Sequence, residues 1–119
     1  MSLSIELCHQ LYKAGFPQEP CERFWIAVDR GTALGNVYDR THQPVACECP
    51  NSDELIEQIQ AEWPNCVGFH CFTSCWDWWA AFELEVQRKP QEIVELQEGG
   101  TPHLAEALAN LYIALKEQV

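Results

Sequence analysis

A chain of 119 residues, 47% hydrophobic and 21% charged with no low-complexity tract, is long enough to bury a core unaided and short enough for one domain. Eighteen acidic against seven basic residues give a net charge of −11. That balance excludes a binder of the nucleic-acid backbone, which needs a basic stripe to displace counterions.

No apolar run nears the roughly 20 residues of a membrane-spanning helix, so no membrane contact is expected. No period of roughly 20 to 50 residues marks a solenoid or propeller. Met1-Ser2-Leu3-Ser4 lacks the basic region and apolar core of a secretion signal. The expected compartment is therefore the cytoplasm, where thiols stay reduced. Seven cysteines, an odd number, also fit poorly with a closed disulfide set. The acids are spread along the chain, as on a soluble surface; the sharper alternative is an acidic mimic of nucleic acid.

In chain order, a helix is expected from Ser2 or Ser4 to Ala14, with Leu3, Leu7, Leu11 and Ala14 on one face. Gly15 suits the left-handed position after its end, Phe16 can fold back on Leu11, and Pro17 blocks continuation. Cys8 borders the apolar face and reads as a core thiol, with His9 on the surface. After a loop over 17–22, Arg23 to Asp29 reads as a strand with Phe24, Ile26 and Val28 on one face. Arg30-Gly31-Thr32 and Gly35-Asn36 read as turns, Val37-Tyr38 as a short second strand, Asp39 to Pro44 as a polar turn and Val45-Ala46-Cys47 as a brief third strand.

The second helix has the clearest local motif. Asn51 caps it, Glu54 closes a capping box, and Leu55, Ile56, Ile59 and Trp63 form its stripe up to Pro64. Residues 63–82 then hold four of the five tryptophans and three of the seven cysteines. From Trp76 on, alternation places Trp76, Trp78, Ala80, Phe82, Leu84 and Val86 on one side, with Asp77, Trp79, Glu83 and Glu85 opposite. Cys75, Trp78, Trp79, Phe82 and Val86 also share a helical face. Aromatic density and the facing run Val67 to Phe72 favour a β-hairpin turning around Thr73-Ser74. Residues 87–92 read as a polar loop, and Ile93 to Leu96 as a short edge strand closed by Gly99-Gly100. A last helix opens with Thr101 as cap and Pro102 at its first position, and runs to about Lys116 on a Leu104, Leu108, Leu111, Tyr112, Leu115 stripe. The order is α-β-β-α-β-β-α, with room for one extra short strand at either loop. That implies an α+β layered sandwich, an antiparallel sheet with helices packed on it.

Chemistry is sparse. Cys66-x4-Cys71-x3-Cys75 with His70, plus Cys47-x-Cys49, holds zinc-ligand residue types, but no pair has the C-x2-C spacing of zinc ribbons. In the expected hairpin register His70 faces Asp77, Phe69 faces Trp78 and Val67 faces Ala80. His70, Cys75, Asp77, Trp79 and Cys66 then share the face away from the core, separated from Cys71. The ordinary reading of that pair is a cross-strand contact; the functional one has Asp77 orient His70 and Cys75 or Cys66 act as nucleophile. Cys47-Glu48-Cys49-Pro50 ahead of a helix start has a redox flavour, although redox motifs place two residues between their cysteines. No phosphate loop, nucleophile elbow or H-E-x-x-H is present, so no cofactor is expected.

Leu11 to Gln18, Cys49 to Leu55 and Thr101 to Tyr112 together make the chain resemble small bacterial and phage or prophage-type proteins of about this length. The resemblance implies no activity and no catalytic residues. The expectation is a non-enzymatic module that acts through an unknown protein partner or self-association, with Trp25 and Trp79 as exposed contact aromatics. The alternative is a metal-binding or thiol-dependent protein that uses His70, Cys75 and Cys66.

Overall fold

The first helix, α1 (Ile5–Lys13), is bounded by groups within four residues of its ends. The Ser4 side chain accepts from Leu7 N–H. At the other end Gly15 takes φ +108°, and the Gly15 and Phe16 amides donate to the Tyr12 and Leu11 carbonyls. This is a Schellman exit, and it requires a residue that tolerates the left-handed region. The computed structural model describes residues 3–28, 31–35, 45–64, 66–85, 93–101 and 103–118.

Three helices and six strands lie among the described residues. After α1 come β1 (Arg23–Val28), β2 (Gly31–Gly35), β3 (Val45–Cys49) and α2 (Ser52–Glu62). The second half follows with β4 (Cys66–Ser74), β5 (Asp77–Glu85), β6 (Ile93–Thr101) and α3 (Leu104–Gln118). The fold is α+β with antiparallel pairing, as expected, and each half carries one more strand than the minimal order, in two sheets where one was expected. The strands form two three-stranded sheets, β2-β1-β3 and β4-β5-β6.

Several local readings move. Gly31 and Thr32 lie inside β2, paired with Val28 and Ala27, so the chain reverses earlier than their turn chemistry suggests. Gly99 and Gly100 do not close β6. Trp78 pairs with Thr101 and Trp79 with Gly99, leaving Gly100 as a bulge at φ +72° with the Trp79 indole against it. Thr101 ends β6 rather than capping α3; the His103 carbonyl accepts the first amide of the helix, from Ala107. The expected strand at Val37-Tyr38, the turn over 39–44, the loop over 87–92 and the Pro102 position lie outside the described residues, as do the inward placements of Val28, Val67, Phe82, Leu84 and Val86.

The core is built mainly by the helices. Leu55, Ile59 and Trp63 of the α2 stripe and Leu108, Leu111, Tyr112 and Leu115 of α3 are buried in one cluster with Leu3, Cys8 and Leu11. Ala105, Ala107 and Ala109 are buried too, letting α3 approach β5 and β6 closely. Edge-to-face ring contacts run from Tyr12 through Phe16 and Tyr112 to Trp63, tying the exit of α1 to α3 and the end of α2. The Asn51 capping box sets the start of α2, with Glu54 N–H on Asn51 Oδ1 at 2.8 Å and Asn51 N–H on Glu54 Oε1 at 3.0 Å. From that start the chain leads through Trp63 into the β4–β5 hairpin.

Candidate functional site

Two features stand apart from ordinary packing: the tip of the β4–β5 hairpin and a group of buried thiols between α1 and β3. At the tip, Ser74 pairs with Asp77, so Cys75 and Trp76 make a two-residue loop. Both have positive φ, 53° and 72°. Two successive left-handed residues are the signature of a type I′ hairpin turn, normally built from Asn and Gly. For residues with a Cβ each such conformation costs about 1–2 kcal/mol. Trp76 is 97% exposed.

This turn corrects the expected register. It lies two residues later than Thr73-Ser74, so His70 faces Ala81 and Phe69 faces Phe82. Asp77 sits four strand positions from the residue opposite His70, roughly 13 Å at strand rise, and the expected His70–Asp77 pair does not form. His70 instead stacks on Phe72, with centroids 5.6 Å apart. Trp76 was expected to face the core, but alternation stops at a turn and the side chain projects into solvent.

The phase of the strands survives because the register moved by an even number. Phe69, Cys71, Trp78 and Ala80 pack on the core side, while exposed His70 and half-buried Phe72, Asp77 and Trp79 share the other face. Cys66 does not join them. The ladder skips Val67, pairing Gly68 with Glu83 and Cys66 with Leu84, and this bulge puts Cys66 on the core side. His70, Cys75, Asp77 and Cys66 therefore do not converge. Of the two expected contact aromatics, Trp79 lies on the outer face beside Phe72. Trp25 is part of the core margin, half-buried with its Nε1 fully enclosed.

The second feature was hidden because its residues are far apart in sequence. Cys47 and Cys49 share one face of β3, opposite Trp25 and Arg23 of β1. Helix α1 packs on β3 and carries Cys8 to the same place. Cys8 and Cys49 are 0% and 2% exposed. A hydrogen bond with Cys49, with burial behind it, pushes the Cys8 thiol far up. The Cys49 thiol is held below its usual range by the hydrogen bond from Cys8, against burial, with help from the Leu3 backbone and the Trp25 indole. Burial, with Cys49 and Glu48 adding to it, raises the Cys47 thiol.

A cleft of about 210 Å³ lies between residues 16–21 and α2, and is lined by Cys21, Glu19, Glu54 and Glu57. Burial and the nearby Glu54 and Glu48 carboxylates push the Cys21 thiol up to about 12, which removes it as a nucleophile at neutral pH. Among the described residues no three His, Cys, Asp or Glu side chains gather as a metal ion would require. No helix of the described residues is long and apolar enough to cross a membrane.

No protein family, curated protein or solved structure matches this chain.

Proposed function

We propose that this chain is a non-enzymatic contact module that docks on a protein partner through the β4–β5 hairpin, with Trp76 as its anchor. One observation carries the reading: a tryptophan 97% exposed at the tip of a hairpin of two nine-residue strands, on a turn that non-glycine residues make only at a cost. A solvated Trp on a strained tip gains nothing for the free chain, whereas tryptophan is among the residues most enriched at binding hot spots. Phe72 and Trp79, cross-strand neighbours on the outer face, extend an apolar strip behind it. The net charge of −11 opposes self-association and favours a partner whose docking pocket is rimmed by basic groups. The resemblance to prophage-type proteins adds the proposal of a mobile-element origin.

The test compares the wild-type chain with Trp76→Ala as bait in the source organism's extract, then measures affinity for the recovered partner by calorimetry. Trp76→Ala is expected to weaken binding by at least about 30-fold, as for a hot-spot residue of 2 kcal/mol or more, with an unchanged thermal midpoint. Recovery of the same partners at equal affinity by both baits would remove the reading.

A further inference from the structure

A strand at the edge of a sheet offers unpaired backbone N–H and C=O groups, and folded proteins guard such edges. Among the described strands, three of the four sheet edges are guarded. Strands β2 and β3 have only five residues each, and α1 packs on β3. Strand β6 carries Glu95 and Glu98, is bulged at Gly100 and packs against α3. Strand β4 is the exception. It has nine residues without Asp, Glu, Lys, Arg or Pro, and among the described elements only β5 packs extensively along it. Its bulge at Val67 lies far from the turn, so Gly68 to Ser74 run in unbroken register.

The hairpin turn decides which groups β4 leaves open. In a two-residue type I′ loop the flanking residues, Ser74 and Asp77, exchange both backbone hydrogen bonds. Alternation then gives Phe72 and His70 to the bonds with β5, and turns the N–H and C=O of Cys71 and Thr73 outward. Among the described residues neither of those backbones finds a partner. On the outer face Phe72 lies opposite Trp79, so an aromatic row reaches the open edge and stops there.

We infer that two copies of this chain pair antiparallel along β4 about a two-fold axis at Phe72, joining their three-stranded sheets into one. In that register Cys71 of each copy lies opposite Thr73 of the other. Each such pair exchanges both N–H···O bonds, using the groups that β5 leaves open. Phe72 meets Phe72 of the second copy as a close, non-hydrogen-bonded pair, and the aromatic row continues from Trp79 to Trp79. A second copy supplies all of this, because an isologous seam places the same strand on both sides. Charge selects the same strand. A net charge of −11 works against the meeting of two copies, and a β6 seam would add carboxylates on both sides, whereas β4 carries none. The inference does not rest on Trp76, whose tip lies beyond the paired residues. Both tips stay exposed, roughly 23 Å apart along the strands at about 3.3 Å per residue, so one partner can engage two anchors.

The experiment is sedimentation velocity of the full chain under reducing conditions, at low and physiological salt, with amide hydrogen exchange followed by NMR. The wild type is expected to show a monomer–dimer equilibrium that tightens as salt screens the net charge. Raising the concentration should slow exchange at Cys71 and Thr73, while His70 and Phe72, already bonded to β5, stay unchanged. Thr73→Pro removes an outward N–H that the hairpin does not use, and is expected to leave the protein folded and monomeric. Phe72→Glu, which opposes two carboxylates across the axis, should also abolish the dimer. The exchange measurement on the wild-type chain depends on neither variant folding. Trp76→Ala should dimerise as the wild type does, which separates this inference from the reading of the tip. A monomer at every concentration and salt, a dimer with fast exchange at Cys71 and Thr73, or a dimer lost in Trp76→Ala would each overturn the inference.

Discussion

Glu62 shows how opposing effects decide one residue's behaviour. Burial pushes its carboxyl up, but the ion pair with Lys116 and the hydrogen bond from Gln58 help outweigh this and hold it below the usual range. Lys116 forms an ion pair with Glu62 and lies 5.7 and 5.6 Å from the Trp63 and Tyr112 ring centroids, so it links α3 to the end of α2. With the folded value depressed, the contribution is fully present above the unfolded carboxyl range and disappears as pH falls through the folded value. Glu62→Gln is thus expected to lower stability near neutrality by at most about 1 kcal/mol, because the pair is partly solvated. Urea titrations of both proteins should converge as the pH is lowered below the carboxyl range. A constant difference at every pH would mean that packing, not charge, carries the effect.

Among elements, the β4–β5 hairpin joins two nine-residue strands through the least expected loop in the chain. Cys75 and Trp76 hold left-handed conformations that Asn and Gly adopt at far lower cost. Replacing them by Cys75→Asn with Trp76→Gly is expected to stabilise the fold by roughly 1–2 kcal/mol. Chemical denaturation would show this as a higher midpoint at an unchanged slope. A drop in stability would mean that the native turn is relaxed, and would weaken the case that the tip is kept for contact. The same variant should lose partner binding, a trade of stability against function that recurs at binding sites.

The helices behave differently from the hairpin because their signals are local. The α1 Schellman exit and the α2 capping box each join groups no more than five residues apart, and both appear where the sequence marks them. The helix stripes were equally legible, since a 3.6-residue period names its own buried face. Hairpin register is another matter. Cys-Trp carries none of the Asn-Gly signal, so a sequence reading places the turn on the more turn-like Thr73-Ser74. The even displacement kept Trp78 inside and Trp79 outside, while it separated His70 from Asp77 and turned Trp76 from core to solvent.

Over the whole molecule, an excess of eleven negative charges on 119 residues repels itself in the folded state more than in the expanded chain. Salt at about 0.1 M shortens the screening length to about 10 Å and relieves this. The thermal midpoint is therefore expected to rise by a few degrees between low and physiological ionic strength, read by calorimetry at fixed pH. A fall would show that specific ion pairs such as Lys116–Glu62 outweigh the general repulsion.

From sequence alone, composition and periodicity determined the α+β class, the three helices with their buried faces, the exit of α1 and the capped start of α2, and which side of β5 turns inward. Those properties depend on contacts within a turn or on a repeat of two residues, so the chain states them directly. Tertiary structure alone decided the division into two sheets, the exposure of Trp76, the bulge that turns Cys66 inward, and the meeting of Cys8, Cys49 and Trp25. Each depends on register or docking between segments distant in the chain, where a shift of one or two residues changes every neighbour while leaving local patterns almost unaltered.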